Sequence, residues 1–320
     1  MSTDAFVVIE HLRGEVADIS YVMLAAARDL AKSSGSKVVA VLLGRKAQEL
    51  AKDLAADEVI YLDSQELADF TPDAYQAVLL SLIGEMKPRV VLFGHTSIGA
   101  DVAGSVSVGL NLPLVSSCLR LTADGKFVSQ ICGGKILAEG ELPVPTALVT
   151  LAPGGYKAEE GKAKTPPHLT EMQTPSLDPR RIRLSQYLEP EAGDVDIAKE
   201  PLLVAVGRGI QNQDNISLAD ELAEVLGGAV CGSRPVVDQG WLSSSRLVGK
   251  SGKHVKPRIY LALGISGAPE HVEAITGSDV IIALNTDPAA PIFGIAKYGA
   301  EADMFDVLPP LTQAIRQAKG

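Results

Sequence analysis

The sequence predicts an α/β protein of two domains, each an open, mostly parallel sheet with helices on both faces. Its 320 residues are enough for two domains of ordinary size. Hydrophobic residues make up 46% of the chain but aromatic residues only 4%, so the cores are built from Ala, Val, Leu and Ile, as is typical of parallel sheets. Short β-branched runs also alternate with helical patterns, which favours parallel strands joined by helices.

The first domain follows this alternation closely. Strands are predicted at Phe6–Ile9, Lys37–Leu43, Glu58–Leu62 and Val90–Phe93, with helices at Ile19–Lys32 and Asp73–Glu85. Connections of this kind are right-handed crossovers between parallel strands. From Leu114 to Leu151 short apolar stretches flank an Asp124–Gly125 turn, which predicts an antiparallel extension of the same sheet.

The domain boundary is predicted from a loss of periodicity. Residues 152–200 are rich in Lys, Glu, Pro and Gly, so we interpret them as a connection with one strand around Ile182–Tyr187. The two domains are therefore predicted at residues 1–195 and 196–320.

The second domain repeats the pattern. Strands are predicted at Leu202–Val206, Ala229–Cys231, Ile259–Leu263 and Val280–Leu284, and a helix at Ser217–Leu226 stops at Gly227–Gly228. In such sheets ligands bind beyond the carboxyl ends of the strands. The loops that follow these strands carry glycines and polar side chains: Gly207–Gly209, Gly232–Arg234, Gly264–Ala268 and Asn285–Pro288.

A local reversal of charge indicates what those loops bind. The chain has a formal net charge of -10, yet the segment from Arg246 to Arg258 has five basic residues and no acidic one. After Gly267 a helix is predicted to begin at Pro269, with His271 in its first turn, and a helix N-terminus attracts anions. We therefore predict an anionic, phosphorylated ligand. The alternatives are a solvated His271 and surface ion pairs for Arg208 and Arg234.

Other classes of function are disfavoured. The pI near 5.1 argues against nucleic-acid or anionic-membrane binding. Three widely spaced cysteines give no metal-ligand spacing, so we predict buried thiols and no metal. Neither a signal peptide nor a membrane span is visible, which predicts a cytoplasmic protein without membrane insertion; the alternative is a matrix protein whose transit peptide has been removed. The segment VGKSG lacks the P-loop spacing, and no catalytic triad is present.

Several segments resemble one family, that of electron transfer flavoprotein alpha subunits. They read GRGIQNQDN, GSRPVVDQGW, LVGKSG, ALGISGAPEH and ALNTDPAAPIFGIAKYGAEADMFDVLP. The resemblance is close over Leu202–Pro310 and looser in the first domain, where it rests on the βαβα order and the opening FVVIEH. It implies a Rossmann-like FAD-binding second domain, and a nucleotide-hydrolase-like first domain that packs on a beta subunit in a heterodimer.

The resemblance also implies an electron carrier rather than a substrate-converting enzyme. Such a carrier moves electrons from flavin dehydrogenases, such as the acyl-CoA dehydrogenases of fatty acid β-oxidation, through FAD to an acceptor such as a membrane quinone oxidoreductase. One alternative is the alpha subunit of an electron-bifurcating complex that passes electrons from NADH to ferredoxin and a second acceptor. Another is a redox-inactive, nucleotide-binding structural subunit.

Individual positions follow from the same resemblance. Arg234 is implied near the isoalloxazine ring, the Ser251 hydroxyl at flavin N5, and His271 near the C2 carbonyl. The full set of implied FAD contacts is Arg208, Ser233, Arg234, Val248, Gly249, Lys250, Ser251, Ser266, Gly267, Ala268, Pro269, Glu270, His271, Asn285, Asp303 and Met304. Of these, the last three are implied at the adenosine end.

This chain departs from the family pattern at two places. VGKSG stands where VGQTG is common, and SGAPEH stands where SGAIQH is common. We expect the added charge of Lys250 to favour negative charge on the flavin, and Glu270 to raise the pKa of His271.

A segment of the first domain, Gly94–Gly104 (GHTSIGADVAG), has the form of a phosphate-binding turn. The resemblance favours helix–sheet packing there, since alpha chains of the family leave this position empty.

Overall fold

The computed structural model describes residues 3–132, 136–177, 181–187 and 195–319. The chain divides into two compact units, Met1–Tyr187 and Leu188–Gly320. The domain boundary expected between residues 195 and 196 stays a prediction, because residues 188–194 beside it lie outside the described residues. Within the described ranges, no helix combines the length and the hydropathy that crossing a membrane requires.

A nine-stranded sheet and a separate hairpin form the first unit. The strands of this unit are β1 (Ala5–Val8), β2 (His11–Leu12), β3 (Glu15–Val16), β4 (Val38–Gly44), β5 (Glu58–Asp63), β6 (Val90–Gly94), β7 (Leu114–Leu121), β8 (Lys126–Ile131), β9 (Ile136–Glu141), β10 (Ala147–Leu151) and β11 (His168–Met172). The hairpin is β2 and β3, and the strand order of the sheet is β11-β5-β4-β1-β6-β10-β7-β8-β9. Its helices are α1 (Asp18–Ser34), α2 (Pro72–Met86) and α3 (Ser97–Leu110).

Helices cover both faces of this sheet, as predicted. Alternate residues of a strand point to opposite faces. Val7 of β1 accordingly packs in the cluster that contains the buried side of α1, whereas Phe6 packs in the cluster formed by α2 and α3. Local sequence fixes the helix ends, since Gly35 closes α1 in the left-handed conformation and Thr96 caps α3.

Two predictions for the first unit were wrong in detail. In the described part of this sheet the antiparallel pairings are β7–β8 and β8–β9, whereas β10 returns between β6 and β7 and is parallel to both. Residues Ile182–Tyr187 form no strand, and the Ile182 amide instead donates to the Asp73 carboxylate. The edge strand of this region is β11, which pairs with β5. Its side chains are exposed or half-buried, so it lacks the apolar alternation that marks a strand in a sequence.

The second unit contains a five-stranded parallel sheet. The strands are β12 (Leu202–Val206), β13 (Ala229–Gly232), β14 (Ile259–Leu263), β15 (Val280–Asn285) and β16 (Tyr298–Glu301), and the helices are α4 (Ile216–Leu226), α5 (Arg234–Asp238), α6 (Pro269–Val272) and α7 (Met304–Lys319). The strand order is β13-β12-β14-β15-β16. Four strands match their predictions; β16 was missed because every one of its side chains is exposed. The strand order reverses between β12 and β14, where this fold places ligands.

The three cysteines are free and differ in exposure. Cys118 and Cys231 are buried, and burial raises their pKa values to about 11 and about 12. Cys132 is exposed, which corrects the prediction of a buried thiol. It has a positive φ of 54° directly after β8 and lies outside the core. Across the described ranges, no cluster of three or more His, Cys, Asp or Glu side chains is arranged to hold a metal ion.

Candidate functional site

A cleft of about 870 Å³ lies at the carboxyl ends of β12, β13, β14 and β15. The implied cofactor contacts that line it are Arg208, Ser233, Arg234, Val248, Gly249, Lys250, Ser251, Ser266, Ala268, Glu270, His271, Asn285, Asp303 and Met304. A cleft of this volume is within the usual range for a cofactor site. The structure therefore gathers into one cavity residues that lie almost 100 positions apart in the sequence.

Two implied contacts, Gly267 and Pro269, do not line the cleft but shape its wall. Gly267 has φ of +83°, and a Cβ at this position would collide with the backbone of Ile292. Pro269 begins α6, whose four residues form a single turn. The helix begins where the sequence predicted it, and the anion site expected at its N-terminus stays a prediction.

Further residues line the cleft that the sequence had not indicated. They are Gly209, Gln211, Pro235, Leu247, Gly264, Ile265, Thr286, Asp287, Ala290 and Ala302. Five of the ten belong to loops already predicted at the strand ends, and Pro235, Leu247 and Ala302 directly adjoin implied contacts. Gln211 and Ala290 lie in segments that carry the resemblance but were not among the implied contacts, because a polar or small side chain beyond a strand is common on any surface.

The loops after β12 and β14 pass each other at van der Waals distance. A Cβ on Gly207 would collide with the Gly264 carbonyl, and one on Gly209 would lie 2.8 Å from the Gly264 Cα. The Gly207 amide donates to the Leu263 carbonyl at 2.8 Å, which ties the first loop to the end of β14. Glycine is required here because any side chain would separate the two loops and displace the floor of the cleft.

Arg234 and Ser251 meet on one wall of the cleft. The Arg234 guanidinium donates to the Ser251 hydroxyl from Nη2 at 2.9 Å and from Nε at 3.3 Å. Arg234 Nη1 lies 3.9 Å from the Asp238 carboxylate, and both side chains are more than half exposed. The cation thus remains largely solvated, and it is available to an anionic or electron-rich ligand.

The turn that carries Ser251 is held by backbone hydrogen bonds. The Val248 amide donates to the Gly232 carbonyl at 2.9 Å, and the Lys250 amide donates to the Glu270 carbonyl at 2.8 Å. The first bond joins the turn to β13, and the second joins it to α6. These two contacts bring VGKSG beside the segment that contains His271.

His271 is buried and has only 6% of its surface exposed. Its Nε2 lies 2.8 Å from the Tyr260 hydroxyl, and its Nδ1 is buried without a hydrogen-bond partner of normal geometry in the described part of the chain. Burial lowers the pKa of His271 to about 4, while the Val248 carbonyl acts in the opposite direction. The expectations of a solvated histidine and of a pKa raised by Glu270 were therefore wrong. Glu270 is exposed, whereas the imidazole lies in the protein interior.

The basic segment does not act as one unit. Of its five basic residues, Lys250 lines the cleft. Lys253 is paired with Asp196 at 2.6 Å, and Arg246 donates to the Val230 carbonyl at 2.7 Å. The segment thus contributes one cation to the cleft, and two of its other basic side chains stabilise the surrounding structure.

The residues present fit the flavin cofactor that the resemblance implies. Arg208, Arg234 and Lys250 provide cations for a pyrophosphate and for an electron-rich ring. His271 also lines the cleft, and its buried Nδ1 has no hydrogen-bond partner of normal geometry in the described part of the chain. Asn285 donates to the Ile265 carbonyl at 2.9 Å and so fixes the loop that borders this side.

Comparison with known proteins agrees with this geometry. Residues 5–174 match the family model of the electron transfer flavoprotein domain, and residues 196–276 match that of the electron transfer flavoprotein FAD-binding domain. The electron transfer flavoprotein subunit alpha of Megasphaera elsdenii is 35% identical, covering 98% of this chain and 97% of that protein.

Two further relatives are as similar. Protein FixB of Clostridium saccharobutylicum is 36% identical over 98% of this chain and 96% of its own length. The acryloyl-CoA reductase electron transfer subunit beta of Anaerotignum propionicum is 33% identical over 99% of this chain and 96% of its own length. With both family models matched and relatives similar over nearly their full length, this chain belongs to the family of electron transfer flavoprotein alpha subunits.

Proposed function

We propose that this protein works as the alpha subunit of a heterodimeric electron transfer flavoprotein, holds FAD in the cleft of its second unit and carries electrons between redox partners. The observation that carries this proposal is the meeting of Arg234, Ser251 and His271 around one cleft of about 870 Å³. The family implies a beta subunit as partner. We further propose that flavin dehydrogenases such as acyl-CoA dehydrogenases supply the electrons, that a quinone oxidoreductase accepts them, and that the protein is cytoplasmic.

The side chains have distinct parts in this function. Bound FAD supplies a ring system that accepts and releases electrons. Arg234 places positive charge beside the ring, and His271, neutral because burial lowers its pKa to about 4, offers a hydrogen-bond donor. Ser251 provides a hydroxyl oriented by Arg234. None of these roles requires a general base or a nucleophile.

A second candidate is the electron-bifurcating complex. The relative from Anaerotignum propionicum favours this candidate. Its name assigns it to an acryloyl-CoA reductase, and it is nearly as similar to this chain as the other relatives are. Family membership alone therefore leaves the electron donor open. The redox-inactive alternative is disfavoured, because the side chains implied for FAD are kept and brought together.

The experiment that separates these functions is co-purification with the beta subunit, followed by FAD quantification and anaerobic reduction. We expect one FAD per heterodimer and reduction by an acyl-CoA dehydrogenase with its substrate. Two FAD per heterodimer with reduction by NADH would establish the bifurcating alternative. A colourless complex that takes up no FAD would contradict both.

The cleft itself is tested by Arg234→Gln. Loss of a charged donor to the ligand is expected to weaken FAD binding by about ten- to a hundredfold. Arg316→Gln is the matched control: this arginine is also about half exposed and paired with a carboxylate, Glu221 at 3.6 Å, but does not line the cleft. Equal FAD affinity in the two variants would contradict the assignment of Arg234 to the site.

A further inference from the structure

Gln211 lines the cleft with a strained backbone, although the family resemblance does not imply it as a cofactor contact. Its φ is 71° and its ψ is -46°. The Asn212 amide donates to the Ile210 carbonyl at 2.9 Å across it. A hydrogen bond between residues i and i+2 with these angles defines the positive-φ γ-turn, which is rare and strained. Glutamine thus stands where glycine would be the unstrained residue.

The surrounding structure holds this turn in its strained conformation. Ile210 has no exposed surface and packs in a core cluster of the second unit. Its carbonyl accepts a further hydrogen bond, from Asn215 Nδ2 at 2.9 Å. On the other side, the Gln211 amide donates to the Arg208 carbonyl at 3.1 Å. Strained backbone persists where its surroundings determine it and is concentrated at functional sites, so the turn indicates a function for the side chain that it carries.

The Gln211 side chain is exposed and available to a ligand. Its carboxamide makes no hydrogen bond within the described part of the chain. Gln211 directly follows the single turn Arg208–Ile210, and Arg208 also lines the cleft. An arginine binds phosphate oxygens, and a carboxamide can donate its two N–H groups to the same kind of atom. The two side chains therefore offer donors to one anionic group.

We propose that Gln211 is a further binding residue of the cleft, where the strained turn directs its carboxamide to donate to phosphate oxygens of FAD beside Arg208. This inference rests on the proposed function, since it takes FAD as the ligand. The strain lowers the stability of the protein without its ligand. Removal of this side chain should therefore stabilise the fold and weaken binding at the same time. A residue with a purely structural role would not give these opposite effects.

FAD affinity of the complex between the full chain and its beta subunit tests the binding role. Gln211→Ala removes the carboxamide and is expected to weaken FAD binding by about tenfold. Gln211→Glu has nearly the same shape but places an acceptor with negative charge beside the phosphates. It is expected to weaken binding by about a hundredfold. A Gln211→Glu variant that binds FAD better than Gln211→Ala does would overturn the donation to phosphate.

Thermal unfolding of the same complex without FAD tests the strain. Gln211→Gly is expected to unfold about 3 °C higher than the natural sequence, because glycine adopts a positive φ without strain. Gln213→Gly is the matched control: Gln213 is exposed and lies two positions away, but it has no positive φ and does not line the cleft. This control should unfold at a slightly lower temperature and bind FAD as the natural sequence does.

The remaining outcomes are distinct. Unchanged FAD affinity in Gln211→Ala and Gln211→Gly would overturn the binding role. A Gln211→Gly variant that unfolds no higher than Gln213→Gly would overturn the strain that we assign to this turn. Failure of the proposed function appears differently, as a complex of the natural sequence that takes up no FAD at all.

Discussion

The two units of this protein are both mostly parallel sheets, yet in the described residues an open crevice lies where the strand order reverses in the second unit and not in the first. In the second unit this point lies between β12 and β14, beside a cleft of about 870 Å³. In the first unit the order reverses between β1 and β6, where the described residues leave a cavity of about 10 Å³. The difference shows that topology permits a ligand site, and that the side chains at the strand ends determine whether it is open.

One carboxylate fills the crevice of the first unit. Glu10, two residues after β1, has 8% of its surface exposed. Both of its oxygens accept from the Thr96 hydroxyl at 2.9 Å, at the start of α3. A Cβ on Gly99 would lie 2.7 Å from a Glu10 oxygen. The Gly94–Gly104 turn is therefore occupied by a carboxyl group of the protein itself, which supports its interpretation as a packing element.

The buried titratable groups at these two places respond to pH in opposite directions. Burial raises the pKa of Glu10 from 4.5 to about 7, so the folded state binds its proton more tightly than the unfolded state does. Its contribution to stability is complete below pH 4.5 and is lost as pH rises toward 7. Burial lowers the pKa of His271 from 6.5 to about 4, so stability is instead lost as pH falls below 6.5.

Gly267→Ala is expected to have the largest effect on the second unit. Its positive φ and its contact with the Ile292 backbone together should cost about 4 kcal/mol of unfolding free energy and most of the FAD binding. Urea unfolding and FAD titration measure both. Gly294→Ala serves as the control, because a Cβ there meets no atom within 4 Å. Similar losses in the two variants would contradict the role given to Gly267.

Glu10→Gln tests the closed crevice. The neutral amide removes the cost of an ionised buried carboxylate, so the variant is expected to be more stable than the natural sequence by about 3 kcal/mol at pH 8. At pH 4.5 this advantage should disappear. Denaturant unfolding at both pH values measures it, with the exposed Glu85→Gln of α2 as the control. A variant that is destabilised equally at both pH values would show that the carboxylate is ionised and well paired.

The unfolding free energy of the second unit, which has the open crevice, is expected to depend on pH in the opposite direction. Without FAD, the second unit should lose about 2 kcal/mol of unfolding free energy between pH 6.5 and pH 5, since unfolding lets His271 bind a proton. Trp241, the single tryptophan of this chain, lies in that unit. Its fluorescence therefore reports the unfolding of the second unit when the beta subunit is absent. His271→Gln should reduce this slope without abolishing it, because burial also lowers the pKa of His254 in the same unit. An unchanged slope in the variant would assign the pH dependence to another group.

The smallest effect is expected at Lys250. Its side chain is exposed at the cleft, so its charge is screened. Lys250→Gln should lower the potential of the first reduction of the bound flavin by about 10–40 mV, the equivalent of a surface charge interaction. Lys199→Gln, an exposed lysine outside the cleft, is the control. A higher potential in Lys250→Gln would contradict the field that we attribute to this residue.

How far the sequence could predict this structure depends on burial. Strands such as Leu202–Val206 were predictable because continuous apolar runs mark buried parallel strands. By contrast, β11 and β16 have exposed side chains and leave no such signal. The cleft residues were predicted from the loops that follow the strands and from the family resemblance. The burial of His271 was not predicted, because its hydrogen-bond partner Tyr260 has the sequence pattern of an ordinary core residue and gives no sign of this contact.

The most direct test of the account is amide hydrogen exchange of the heterodimer, stripped of FAD and then reconstituted with it. FAD is expected to slow exchange in segments 247–251 and 264–271, which line the open crevice. No change is expected in segment 94–104, where the Glu10 carboxyl group occupies the turn. Protection of segment 94–104, or none at 247–251, would contradict the assignment of the cofactor to the second unit.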